Sequence, residues 1–330
     1  MEKLTDTEIR ILNRVQKDWK LGATPFAYLS DELGISEDTL ITAIEKLKRG
    51  KIIRDISAIF NAASMGYKSA LVALEVPEDC IGKAVSAINA NTGVSHNYLR
   101  DHKYNIWFTL SVAKDRSLDE EAKALADKSE AKDFLVLRNE RLLKIGVNFH
   151  FGENEDNTEA PGNVNIKNVP VRELSQQEKL AVNILQMDLP LTNRPFRELI
   201  QKSNSDIEES RVVALGEAFK KEGIMRRYSA IVKHAGAGYR FNAMTAWKLA
   251  DYGDDVLIKK FASVPDISHL YLRTIYPGRW EHGLFAMIHA KSKDELDAII
   301  VRLETQTGIK DYLVLNTVRE LKKQRVMYFI

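Results

Sequence analysis

Apolar positions recur at helical spacing in the first fifty residues and then change to a two-residue period. Residues 6–19 carry Ile9, Leu12 and Val15 on one stripe, which predicts a helix. Pro25 opens a second helix and Gly34 ends it. Ser36 then caps a third helix that runs to Lys48, with Leu40, Ile44 and Leu47 inward. Gly50 stops it, and residues 52–60 read as a β wing. Three helices and a wing make a winged helix-turn-helix. Next come a strand (70–76), a helix (79–89), two hairpin strands (94–100 and 105–112), a helix (117–128) and a strand (133–143). The order βαββαβ predicts a ferredoxin-like unit.

The whole pattern then repeats. Pro25-Phe26 returns as Pro195-Phe196, Ser57-Ala58-Ile59 as Ser229-Ala230-Ile231, and Gly66-Tyr67 as Gly238-Tyr239. The spacing of about 170 residues is too long for a solenoid and describes a tandem duplication. The second lobe predicts helices at 176–186, 196–202 and 205–220, a wing at 224–233, and βαββαβ between 242 and 318. The fold class is therefore α+β. Its expected domains are a winged helix (1–62), a ferredoxin-like domain (63–151), a linker (152–171), a second winged helix (172–234) and a second ferredoxin-like domain (235–330). The linker GENEDNTEAPGNVNIKNV is polar, acidic and poor in large apolar residues.

The most informative repeat is short. Ser-His-Asn-Tyr-Leu-Arg at 95–100 matches Ser-His-Leu-Tyr-Leu-Arg at 268–273. On a strand, His96, Tyr98 and Arg100 share one face, as do His269, Tyr271 and Arg273. Such a row can hold an anion and move a proton. Ile106, Phe108 and Leu110 share the face expected to pack on the helices, with Trp107 on the other. Leu270 and Leu272 likewise oppose the second row. Each row should look away from its own helices, toward the other lobe. The hairpin turns differ: from His96 to Phe108 and from His269 to Phe285 the second lobe gains four residues. Its loop adds Tyr276, Arg279, Trp280 and His282, while the first turn offers His102 and Lys103. These are expected to cover a flat anionic ligand at two unequal sites. His289 alternates with Phe285 and Met287 and is expected to face the helices as a core residue. Arg54 and Arg226 hold matching wing positions, where a salt bridge is the expectation. His150 and His234 are assigned no role, and the turn Gly236-Ala237-Gly238 lacks the context of a nucleotide loop.

Composition narrows the chemistry. The chain has 330 residues, 45% hydrophobic and 28% charged, with a net charge of +2. No global field drives it to nucleic acid or membrane. A single cysteine, Cys80, excludes an internal disulfide, a protein-held iron–sulfur cluster and a thiolate zinc site. With a charged, non-apolar N-terminal stretch and no membrane-length apolar run, a cytoplasmic location is expected. Both third helices begin with acids, Ser36-Glu37-Asp38 and Ser205-Asp206-Ile207-Glu208-Glu209. Carboxylates suit a helix N-terminus but repel DNA phosphate, so DNA binding is not expected.

A winged helix followed by βαββαβ resembles the leucine-responsive regulator/AsnC family in architecture. The strand motifs HNYLRDHKYNIWFTL and SHLYLR with LFAMIHA resemble the two subunit types of siroheme decarboxylase, here fused. In place of an expected Tyr-Asn before Leu284-Phe285 stands Glu281-His282-Gly283. The resemblance implies removal of carbon dioxide from two acetate arms of siroheme, giving didecarboxysiroheme for d-type heme or an alternative heme route. It implies no cofactor beyond the iron carried by siroheme. On the residues, His96 and His269 are the candidates for general acid or ligand of the substrate iron. Arg100 and Arg273 are candidate carboxylate clamps, and Tyr98, His102, Lys103, Trp107, Tyr271, Tyr276, Arg279, Trp280 and His282 complete the expected binding set. The lobes should pair with each other, with a homodimer as a further option. The alternatives are a regulator of the same architecture that senses heme or an amino acid, and a tetrapyrrole carrier.

Overall fold

The computed structural model describes residues 4–145, 170–232, 241–252 and 254–329. Most of the expected linker, His150, His234 and the Gly236–Gly238 turn lie outside the described residues.

The first winged helix contains α1 (Asp6–Val15), α2 (Pro25–Leu33), α3 (Glu37–Arg49) and the wing strand β1 (Ile53–Phe60). Thr5 and Glu8 form a reciprocal capping box at the start of α1. Gly34 takes the left-handed conformation (φ 66°) that ends α2. The first helix stops at Val15, short of the predicted Trp19. Trp19 instead turns into the core, where its indole donates to the Val15 carbonyl at 2.8 Å. The second winged helix contains α6 (Gln176–Leu185), α7 (Pro195–Lys202), α8 (Glu209–Lys221) and β6 (Met225–Val232). Helix α8 starts at the end of the acidic stretch predicted as its first turn, with Glu208 at the N-cap and Glu209 as its first residue.

The two winged helices are not separate bodies. β1 and β6 pair antiparallel, with Ser57 opposite Ser229, and one apolar core draws on both lobes. Trp19 and Phe196 both pack edge-on against Tyr228. Backbone bonds cross in matching places, Trp19 N–H to Tyr228 O and Leu189 N–H to Ile56 O.

The ferredoxin-like halves are equally interleaved. The first contains β2 (Lys68–Glu75), α4 (Ile81–Ala90), β3 (Val94–Arg100), β4 (Ile106–Val112), α5 (Leu118–Lys128) and β5 (Asp133–Ile145). The second contains β7 (Phe241–Trp247), α9 (Asp255–Ala262), β8 (Ile267–Arg273), β9 (Leu284–Ala290), α10 (Lys293–Thr307), β10 (Tyr312–Leu315) and β11 (Thr317–Lys323). The strand order is β10-β7-β9-β8-β5-β2-β4-β3-β11. Strand β5 pairs with β2 of its own lobe through Arg138, then with β8 of the other lobe from Asn139 onward. The last stretch does the same in reverse: β10 pairs with β7, and after Asn316 β11 pairs with β3. Because β10 and β11 are one continuous stretch, the row of strands returns to its own start as a flattened barrel. Eight strands in a barrel leave room for filling side chains or for one small ligand.

Alternation along each strand separates two faces. Ile106, Phe108 and Leu110 pack with Ala84, Ile88 and Leu125 of the helices. Leu270, Leu272 and Ile288 pack with Phe261, Ile299 and Leu303. The inner face carries Trp107, Leu135, Leu137, Met244, Phe285 and Leu315.

Candidate functional site

Strands β3 and β8 stand next to the crossing stretches β11 and β5, and their inner faces meet across the barrel. His96, Tyr98, Arg100, His269, Tyr271 and Arg273 all line one cavity, with Trp107, Phe285 and Met287. The cavity holds about 310 Å³, and about 1180 Å³ when the space open at its mouth is counted. The two rows therefore form a single site, not the two unequal sites expected. Each row is ordered by its own packing. The His96 and Tyr98 rings stack at 6.4 Å, and those of His269 and Tyr271 at 6.2 Å. Each guanidinium lies over its neighbouring phenol, Arg100 at 5.2 Å and Arg273 at 4.6 Å.

The arginines are buried, 4% and 9% exposed. Arg100 donates through Nη1 to Leu315 O (2.6 Å) and Thr317 Oγ1 (3.1 Å). Arg273 donates through Nη1 to Leu137 O at 3.0 Å. These carbonyls lie where β5 and β10 change partners, so lobe exchange itself fixes both guanidiniums. The Nε of each is buried with no partner, and among the described residues neither has a carboxylate partner. Burial pushes both down to about 10, which leaves them charged at neutral pH. A buried cation without a counter-ion is costly and calls for an anionic ligand.

Burial also brings His96 and His269 down to about 4. Lys323 and Arg54 add to the effect at His96, and His289 and His96 add at His269. Burial, with Glu320 next in weight, pushes the Tyr98 phenol up to about 12. Tyr271 is raised by burial, with Arg273 opposing.

Six predicted residues are not brought to this cavity. The pairing register matches Trp107 with Phe285, because Tyr98 faces Trp107 and Tyr271 faces Phe285. The second turn is thus longer by five residues, not four. Its loop folds inward as a plug. Trp280 is 3% exposed and packs on Trp107 at 5.4 Å and Phe285 at 6.0 Å. His102 meets that indole edge-on, at 5.6 Å. Tyr276 bonds the Val136 carbonyl at 2.9 Å, and Arg279 pairs with Asp133. His282 meets Asp311 at 2.8 Å, and Lys103 meets Glu75 at 3.1 Å. Their polar groups are used in closing the barrel end. Arg54 makes the expected salt bridge, to Asp55 at 2.6 Å.

Sequence reasoning missed others. His289 does not face the helices: β9 turns Phe285, Met287 and His289 to the cavity and Leu284 and Ile288 to the helices. The large apolar side chains of Phe285 and Met287 suggest the core side, yet they line a ligand cavity. Glu320 and Lys323 line it as well; they arrive from β11, beyond the predicted last strand, and only lobe exchange places them beside Tyr98 and His96.

A duplicated winged-helix and AsnC-like chain whose fused barrel encloses paired imidazoles and unneutralised guanidiniums is a binding protein for a multiply anionic ligand. Comparison with known proteins agrees and narrows the class. The chain matches the AsnC-like ligand binding domain over residues 64–144 and 236–322. It matches the siroheme decarboxylase NirDL-like HTH domain over 8–54 and 178–226. A siroheme decarboxylase of Hydrogenobacter thermophilus is 36% identical, over 97% of this chain and 94% of that protein. The crystal structure of the siroheme decarboxylase NirDL is 32% identical, with a TM-score of 0.76 over 98% of this chain and 95% of that one. A second NirDL structure, in complex with an iron-uroporphyrin III analogue, is 30% identical with a TM-score of 0.75 over the same shares. The chain belongs to the siroheme decarboxylase family.

Proposed function

We propose that this protein is a carboxy-lyase that removes carbon dioxide from two acetate side chains of siroheme without net oxidation. The observation that carries the reading is the pair of buried guanidiniums, each with an unpartnered Nε, on the walls of a cavity that also holds two imidazoles. Siroheme offers carboxylates around a flat ring and an iron at its centre. Arg100 and Arg273 hold carboxylates through charge-assisted bonds and set the ring's position. Trp107, Phe285 and Met287 keep water from the scissile carboxylate, removing hydration that favours its charged form. The carbon–carbon bond breaks, carbon dioxide leaves, and the electron pair remains on the methylene carbon, delocalised into the macrocycle. A proton from His269 makes it a methyl group. His96, on the opposite wall, is the ligand for the substrate iron. One proton enters for each carbon dioxide lost, so no redox partner or cofactor is required. The protein works in the cytoplasm; no helix among the described residues is long and apolar enough to cross a membrane. Supporting the enzyme over the regulator, Lys46 and Lys48 of α3 pair internally with Glu8 and Asp188, and Lys220 of α8 pairs with Asp18.

The test is anaerobic incubation of the protein with siroheme, followed by absorption and product mass. The expected result is a shifted Soret band and a product lighter by two carbon dioxides. A shifted band with unchanged mass would favour a carrier, and no shift at all would overturn both.

A further inference from the structure

We propose that Lys323 of β11 and Arg54 of the first wing form an outer carboxylate subsite at the cavity mouth, which holds acid arms of the tetrapyrrole that the buried arginines cannot reach. The inference rests on the decarboxylase reading above and names how the trailing edge of that ligand is held.

The cavity has a closed end and an open one. Trp280 packs on Trp107 and Phe285 at the plugged end. Tyr98 stands opposite Trp107 and Tyr271 opposite Phe285. His96 and His269 stand opposite Thr109 and Met287, two residues further from the plug. Each row therefore runs from a deep arginine to a histidine near the mouth. At the histidine level β11 ends, with Lys323 opposite His96 and lining the cavity.

The chain then crosses to the winged helices. Gln324 N–H donates to Ser95 O at 2.7 Å. Arg325 donates to Ser57 Oγ and to Ala58 O of β1, the latter at 2.8 Å, and lies 3.5 Å from Asp55. Asp55 in turn accepts from Arg54 Nε at 2.6 Å. This strap ties the mouth to the wing and brings Arg54 to the first wall. The field inside the cavity agrees. After burial, the main cause, the charges of Lys323 and Arg54 both lower the proton affinity of His96, and Lys323 does the same at His289 on the other wall.

These cations are not fully neutralised. Arg54, Lys323 and Arg325 have two carboxylates among them, Asp55 and Glu320. Arg325 is committed to β1. Arg54 and Lys323 are 24% and 33% exposed, so they can turn from their internal acids to an incoming one. A flat ring with acid arms all round cannot bring every arm to the deep end. Arms on its leading edge meet Arg100 and Arg273. Arms on its trailing edge stop at the mouth, where Lys323 and Arg54 offer charge-assisted bonds. The second lobe repeats the wing arginine, as Arg226, but not the lysine: by register Ile145 stands in its place.

The test uses full-length Arg54→Met, Lys323→Met, their double variant and Glu320→Gln, titrated anaerobically with siroheme at low and high salt and assayed for carbon dioxide release. Each cation variant should bind about two- to fivefold more weakly at low salt, the range of a partly exposed ion pair, and the double variant more weakly than either. The deficit should shrink at high salt, and the loss of kcat/KM should lie in KM. Lys323→Arg keeps the charge and should match the wild type. Glu320→Gln frees Lys323 from its internal acid and should tighten binding. Wild-type affinity in the double variant, or a deficit that salt does not change, would overturn the subsite and leave the decarboxylase reading intact. A salt-dependent deficit with no carbon dioxide from the wild type would uphold the subsite and overturn the decarboxylase reading. No siroheme binding by the wild type would overturn both.

Discussion

The two walls of the cavity began as copies and now differ in what flanks them. On the first wall, β11 brings Glu320 opposite Tyr98 and Lys323 opposite His96. On the second wall, β5 brings Leu142 opposite Tyr271. His96 thus sits beside a Lys–Glu pair, held at 3.4 Å, whereas the second wall has Leu142 in the place of Glu320 and His269 contacts Ser268 at 2.9 Å. A charged flank suits holding a polyanion still. A less polar flank suits the step in which a carboxylate loses its charge and a carbon gains a proton. Identical three-residue rows can therefore take unequal roles when their neighbours come from different strands.

Acid should give the largest change and tests both walls together. His96, His269 and His289 fall from about 6.5 when unfolded to about 4 when folded. Above pH 6.5 they contribute nothing to the difference between states. Between about 6.5 and 4 the unfolded chain binds more protons, so the ligand-free protein loses stability as pH falls, and the loss levels off below about 4. Each tenfold drop in proton affinity is worth about 1.4 kcal/mol, so the three imidazoles together account for several kcal/mol, read by chemical denaturation at a series of pH values. A flat profile from pH 7 to 4 would mean the imidazoles are not dry.

Removing a clamp comes next. Arg100→Met and Arg273→Met should each weaken siroheme binding by about 10- to 100-fold, from bonds worth roughly 1.5–3 kcal/mol to a charged group. The losses should be similar, because both walls hold carboxylates. Anaerobic titration followed in the Soret region measures them, and unchanged affinity in either variant would remove that arginine from the site. A smaller effect is expected at the flank. Leu142→Glu copies the first wall's acid onto the second and should slow carbon dioxide release by about tenfold, roughly 1.4 kcal/mol of barrier, with little change in binding. The reverse change, Glu320→Leu, should alter affinity more than rate. Equal effects of the two on rate would erase the distinction between the walls.

Much of this is legible in the chain. The duplicated Ser-His-x-Tyr-Leu-Arg stretch marks both rows, and the two-residue period aims each away from its helices. The period does not name a face, however. Phe285 and Met287 read as core, and His289 is turned the wrong way with them; cross-strand register, which pairs His269 with Met287, decides the matter. Glu320 and Lys323 carry no local signal, because their place depends on β10 and β11 parting at Asn316 to serve different lobes. The plug misleads for another reason. A loop holding Tyr276, Arg279, Trp280 and His282 has the composition of a ligand cover, but composition does not give direction. Trp280 packs on Trp107 and Phe285, and the polar groups reach Asp133, Val136 and Asp311.

The most direct test of unequal walls is one pair of variants under one set of anaerobic conditions, with both the spectrum of bound siroheme and single-turnover carbon dioxide release recorded. His96→Ala should change the spectrum, because it removes the ligand from the iron. His269→Ala should keep the spectrum and slow carbon dioxide release by about 10²–10⁴-fold, the usual contribution of a positioned general acid. Wild-type rates and spectra in both variants would mean that the repeated row is scaffolding and that the chemistry resides elsewhere in the barrel.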